Sequence, residues 1–162
     1  MLKLYRISHW LYNNGFSFIT PLIEVLIYLM FNSRIPSSVK IGKSSYFAYK
    51  GLSTLLVKGT VIGDNCSIGM RVTTGRNFPY KEVPNIGNRV WIGTNSVIIG
   101  PVIIQDNVII APNSFVNKSI PEGAIVAGNP AKIIGWVKDL DYNIFENPKY
   151  KEGFAPFLED KR

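Results

Sequence analysis

The chain has 162 residues, 46% of them hydrophobic, one cysteine, one histidine, and a net charge of +7 from 18 Lys+Arg against 11 Asp+Glu. That length fits one domain with terminal additions, and the apolar share supports a full core. A single cysteine forms no internal disulfide and nothing argues for an oxidising compartment, so a cytoplasmic protein is expected. The basic surplus points to anionic partners, but no basic helix, zinc finger or RNA-binding motif accompanies it, and nucleic acid is not expected.

From the N-terminus, residues 2–10 (LKLYRISHW) mix polar and aromatic side chains in a pattern that fits an amphipathic helix. An apolar run over 16–31 follows, interrupted by Pro21 and Glu24. It is shorter than the roughly 20 uncharged residues of a membrane span. No small-residue cleavage site follows it, so it does not read as a signal peptide. We expect a helix, kinked at Pro21, that packs on the body of the protein or lies in a membrane interface at the inner face. His9 is expected to serve packing or hydrogen bonding on a helix face. Ile35-Pro36 closes this region, because the residue before a proline disfavours helix.

A six-residue register then begins with Ile35, Ile41 and Phe47, slips by three residues, and resumes at Leu56, Ile62, Ile68 and Thr74. It continues without a slip at Ile86, Ile92, Ile98, Ile104, Ile110 and Val116. A period of six matches neither helix nor alternating strand, and it is the signature of a parallel β-helix. Two positions before each of these residues lies a second inward slot, as with Val90, Val102 and Val108. Corners such as Gly93-Thr94-Asn95 and Pro112-Asn113 supply residues that tolerate tight backbone turns. Cys66 falls in an inward slot and is expected to be a buried structural thiol.

Between Thr74 and Ile86 the register is interrupted by a loop over 75–85 that has no repeat character, the kind of interruption of a rigid scaffold where chemistry sits. The closing stretch 124–127 reads as a last strand, and 132–138 as the start of a capping helix over the open end. The expected divisions are therefore a helical segment 1–34, a β-helix 35–132, and a capping helix with tail 133–162. The tail from Asn143 onward has no assignment.

The repeats, together with Asn88-Arg89-Val90-Trp91-Ile92-Gly93 and the closing Gly128-Asn129-Pro130-Ala131-Lys132, resemble the hexapeptide-repeat acyltransferases with a left-handed β-helix. The front end, including Pro36-Ser37-Ser38-Val39-Lys40-Ile41-Gly42 and the segment from Phe47 to Leu52, resembles serine-acetyltransferase-like enzymes of surface-polysaccharide clusters. True serine acetyltransferases carry a longer helical N-terminal domain than these residues provide. The resemblance implies a homotrimer that binds acetyl-CoA, with no metal, between neighbouring β-helices. Carried over, Thr94 would face the cofactor arm, Pro112, Asn117 and Lys118 would contact the pantetheine, and Lys132 would lie near the nucleotide phosphates.

The resemblance also implies a histidine base for the acceptor hydroxyl. The positions where relatives place it hold Tyr49 or Val57, Arg76, and Pro79-Tyr80. The same shortage excludes a zinc carbonic anhydrase on this scaffold, which needs three histidine ligands. Candidate bases are therefore Glu82, if desolvation raises its pKa, and Tyr80 or Tyr49; an amine acceptor would need little base help. The expected function is acetyl-CoA-dependent O-acetyl transfer to a sugar or small hydroxyl or amine acceptor, in surface-polysaccharide biosynthesis. The alternatives are a catalytically silent trimer that binds CoA or acts as a scaffold, and a purely membrane-attached scaffold.

Overall fold

In the computed structural model, which describes residues 1–141, every inward slot of the repeat is buried. The first coil holds β1 (Lys40–Ile41) and β2 (Tyr46–Phe47), and the second holds β3 (Val61–Ile62), β4 (Ser67–Ile68) and β5 (Thr73–Gly75). The third holds β6 (Asn85–Ile86), β7 (Trp91–Ile92) and β8 (Val97–Ile99). In the fourth lie β9 (Ile103–Ile104), β10 (Ile109–Ile110) and β11 (Phe115–Val116), and β12 (Ala124–Ala127) opens a fifth. Parallel pairing between coils makes three faces, β1-β3-β6-β9, β2-β4-β7-β10-β12 and β5-β8-β11, with Leu55 extending the third face downward. This is a left-handed parallel β-helix of triangular section.

The register works because each short strand turns one aliphatic side chain inward and the next residues bend the chain. At the first two corners of the four full coils the third residue after the inward one adopts positive φ: Ser44, Asn65, Arg89 and Asn107 at the first corner and Lys50, Arg71, Asn95 and Asn113 at the second. Coils stack closely where glycine leads the corner: a Cβ added at Gly69 would lie 2.6 Å from the Thr94 backbone nitrogen. Polar inward residues are satisfied locally. Thr60 donates to the Val57 carbonyl at 2.9 Å and shares a hydrogen bond with Thr74 at 2.9 Å, while Cys66 is buried against the Gly87 carbonyl.

Two helices close the lower end. The first, α1 (Leu2–Asn13), and the second, α2 (Thr20–Phe31), pack together and place Tyr5 and Ile27 in the core. Pro21 does not kink the run as expected. The helix starts at Thr20, so the proline occupies its first turn, where a missing N–H costs nothing. Glu24 accepts the Ser37 backbone N–H at 2.8 Å and the Ser37 hydroxyl at 2.6 Å, and Ser8 hydrogen-bonds the same hydroxyl at 2.6 Å. His9 Nδ1 donates to the Ser37 carbonyl at 2.7 Å, so the sole histidine is committed to joining α1 to the first coil.

At the upper end residues 132–138 do not form the expected start of a capping helix. Residues Lys132–Trp136 form β13, which pairs antiparallel with β12 and is followed by one 3-10 turn, Val137–Asp139. The open edge of β12 presents unpaired backbone groups, and a returning strand satisfies them where a helix would not. The boundary expected at 132/133 therefore cuts a strand that belongs to the second face. The unassigned tail from Asn143 lies outside the described residues.

Candidate functional site

Because corners recur once per coil, residues at equivalent corner positions stack into columns. At the second corner Tyr49, Met70, Thr94, Pro112 and Gly128 each stand two residues after an inward residue of the second face. Backbone hydrogen bonds tie this column together: Arg71 N–H donates to the Leu52 carbonyl at 3.0 Å, Asn95 to Met70 at 2.9 Å and Asn113 to Thr94 at 3.0 Å. Asn95 and Asn113 also join side chain to side chain at 2.7 Å. At the top, Ala131 N–H donates to the Phe115 carbonyl at 2.8 Å, which sets the exposed Lys132 immediately beyond the column. Thr94, Pro112 and Lys132 therefore rise along one edge, with Tyr49 at its foot.

The third corner holds the rest. Lys58, Arg76, Gly100 and Lys118 each stand two residues after an inward residue of the third face, so three of these four stacked positions are basic. The ejected loop leaves here. Gly75 belongs to β5 and Asn85 to β6, which narrows the loop to 76–84. Its start lies against Gly100, where an added Cβ would meet Asn77 at 3.0 Å, and its end lies over Gly59, where one would meet Val83 at 3.5 Å. Arg76 Nε donates to the Lys81 carbonyl at 3.3 Å and the Tyr80 N–H to Asn77 at 2.9 Å. Tyr80 and Glu82 are exposed on this loop. Asn117 and Lys118 are exposed on the same corner two coils higher.

At the root of the loop is a groove of about 300 Å³ lined by Arg34, Leu55, Val57, Lys58, Thr74 and Arg76, among others. Its apolar floor and three cationic side chains, with no acid among the lining residues, suit a small ligand carrying negative charge. Arg34, Lys58 and Arg76 escape an expectation built on motifs alone. The signal was present in the spacing, since Lys58 and Arg76 are separated by one full coil of 18 residues.

The structure thus brings the candidate residues together in two sets and not in one. Tyr49, Thr94, Pro112 and Lys132 share the second corner, while Tyr80, Glu82, Asn117 and Lys118 share the third. One six-residue side of the triangle, about 20 Å at the rise of an extended strand, separates them. Within one protomer no small acceptor touches both. Two prisms packed corner to corner would bring the second corner of one against the third corner of the next.

Comparison with known proteins gives one consistent picture. Residues 84–118 match the model for the bacterial transferase hexapeptide (six repeats), and 57–75 match the hexapeptide repeat of succinyl-transferase. A serine acetyltransferase of Helicobacter pylori is 31% identical over 135 residues, covering 82% of this chain and 78% of that protein. Serine acetyltransferase 4 of Arabidopsis thaliana is 32% identical over 143 residues, 86% of this chain but 40% of that protein. Among solved structures, the serine acetyltransferase of Brucella abortus in complex with coenzyme A superposes with a TM-score of 0.79 at 28% identity. That superposition covers 83% of this chain and 54% of that one, so the chain spans about half the length of the solved relative.

Proposed function

Since the chain belongs to the serine acetyltransferase family of hexapeptide-repeat transferases, we propose that it transfers an acetyl group from acetyl-CoA to the hydroxyl of a small acceptor, as a homotrimer. The observation that carries this reading is the unbroken column Thr94–Pro112–Lys132 on a scaffold that superposes at a TM-score of 0.79 on a relative in complex with coenzyme A. A pantetheine arm is an extended chain and suits a column of stacked corners, while a lysine at the upper end supplies a point charge for phosphate. Trimerisation is supported by the division of the candidate residues between two corners.

The groove beside Arg34, Lys58 and Arg76 is the acceptor site in this reading. Its cations favour an acceptor carrying an anionic group, which serine has and a neutral sugar lacks, so serine is the first acceptor to test. The acceptor oxygen attacks the thioester carbonyl, a C–O bond forms, the C–S bond breaks, and the acceptor proton passes through a base to the departing sulfur. We assign the relay to Glu82, the one carboxylate on the loop whose first residue, Arg76, lines the groove. Tyr80 lies on the same loop and Tyr49 on the other corner, where only a neighbouring protomer's groove would meet it.

The family's usual histidine base has no counterpart in this reading, because His9 is held on the Ser37 carbonyl at the base of the prism. The test is release of free CoA thiol from acetyl-CoA by the full chain with serine, and with hydroxylated sugars as the comparison. Serine-dependent release that falls by about 10²–10⁴ in Glu82→Gln, with acetyl-CoA affinity retained, supports acetyl transfer and its base. Acetyl-CoA binding by calorimetry without release to any acceptor would overturn the proposal in favour of a silent CoA-binding homologue.

A further inference from the structure

The lower end of the prism carries a surface that acetyl transfer does not use. On α2 the inward side is Thr20, Ile23, Glu24, Ile27 and Phe31, and Glu24, the helix's sole ionisable acid, is turned onto Ser37. What remains outside is apolar apart from the hydroxyl of Tyr28. Leu22 and Leu29 are each 73% exposed, with Val25, Leu26 and Met30 between them, and Phe18 in the preceding turn is 77% exposed. The neighbouring helix adds Ile7 and Trp10 on one face, and that face begins with Lys3. Exposed apolar side chains gathered in such number on two packed helices mark a docking site.

The charge distribution selects the occupant. Residues 1–63 contain seven Lys and Arg against one acid, Glu24, for a net +6; the other 99 residues contain eleven against ten, for +1. Nearly the whole basic surplus therefore belongs to the helices and the first coil. Lys40, Lys43 and Lys50 are exposed on that coil outside the groove that takes Arg34 and Lys58, and Lys50 lies close enough to the N-terminal amine to add to the lowering of its pKa by burial. An apolar face with aromatic side chains, at the end of the molecule that carries these lysines, is complementary to lipid tails beneath anionic headgroups. A second copy of the same end would bring two +6 surfaces together, which disfavours self-association there.

We propose that the α1–α2 end of this protein docks on the surface of a bilayer containing anionic lipid, with α2 lying in the interface and the first-coil lysines over the headgroups. Helix α2 has 12 residues, and among the described residues no helix is long and apolar enough to cross a membrane, so the contact is peripheral. The proposal is independent of acetyl transfer and is read out by a different signal.

The test is co-sedimentation of the full chain with phosphatidylcholine vesicles, with and without about 30% phosphatidylglycerol. The expected result is at least about tenfold tighter binding to the anionic vesicles, weakening as salt is raised. Leu22→Gln combined with Leu29→Gln changes only exposed positions and should abolish binding while leaving circular dichroism and acetyl-CoA affinity intact. Lys3→Gln combined with Lys43→Gln should remove most of the preference for anionic vesicles without touching the apolar face. Equal binding to both vesicle types would overturn the assignment of the lysines. Failure to bind either type, with the Leu22→Gln, Leu29→Gln variant losing a self-associated form of the wild type in gel filtration, would overturn the bilayer in favour of a contact between copies.

Discussion

Tyr5 decides how firmly α1 is held. Its ring is fully buried, its hydroxyl donates to the Val39 carbonyl in the first coil, and burial pushes its pKa up to about 12. A phenol whose folded pKa exceeds its unfolded value of about 10 adds stability that is complete below pH 10 and is lost as pH rises towards 12. Tyr5→Phe leaves the Val39 carbonyl unpaired in the core and is expected to cost about 1–3 kcal/mol at neutral pH. Urea unfolding at pH 7 and pH 11 checks both expectations, because the variant should lose less on alkalinisation than the wild type does. At this scale the sequence was readable wherever a residue's role was local. The isoleucines and valines of the repeat point inward because the period of six fixes which side of a short strand they occupy, and Cys66 followed from the same count. The partner of Glu24 was not readable, because Ser37 comes to it only when the helix folds back under the first coil.

The corner is the element on which stability depends and on which the proposed cofactor placement rests. Gly69 starts one corner beneath Thr94, and a methyl group there would sit 2.6 Å from backbone that has no free rotation with which to yield. Gly69→Ala should therefore push neighbouring coils apart, destabilising the fold by about 1–3 kcal/mol and weakening acetyl-CoA binding in the same variant. Denaturant midpoint and calorimetric titration report the two effects separately, and an unchanged affinity would detach Thr94 from the cofactor. Helix α2 shows why element boundaries were harder to read than element types. Pro21 in the middle of an apolar run reads as a kink, yet the chain spends 17–19 in turns and starts the helix beside it. Strand β13 shows a different obstacle. Nothing within Lys132–Trp136 forbids a helix, and the decision is made by the exposed edge of β12, a partner set by the whole preceding stack. The Lys58–Arg76 pair was legible in principle, but only to a count by whole coils.

At the scale of the molecule, the two sets of candidate residues lie on different corners, so activity should be a property of the interface. We predict a trimer in sedimentation velocity, and complementation between inactive variants. Protein altered at Thr94 and Lys132 keeps an intact third corner, and protein altered at Glu82 keeps an intact second corner. In randomly mixed trimers about one quarter of the interfaces combine two intact corners, and about that fraction of wild-type activity should return on mixing. Recovery near zero would place the whole site within one protomer. The stack also has a direction. Coils are separated by about 4.8 Å, the groove lined by Arg34, Lys58 and Arg76 spans the lowest coils, and Lys132 stands about 20 Å higher, at the opposite end from the helices. Stacked coils do not bend at a hinge, so these heights are fixed by the count of repeats. With the helices against a lipid surface as proposed, the donor's nucleotide end would be held out in the water while the reacting hydroxyl would be taken close to the headgroups. A prism one coil taller would keep the same chemistry and move the two levels apart, so the number of repeats would set how far from the surface the donor's nucleotide end stands.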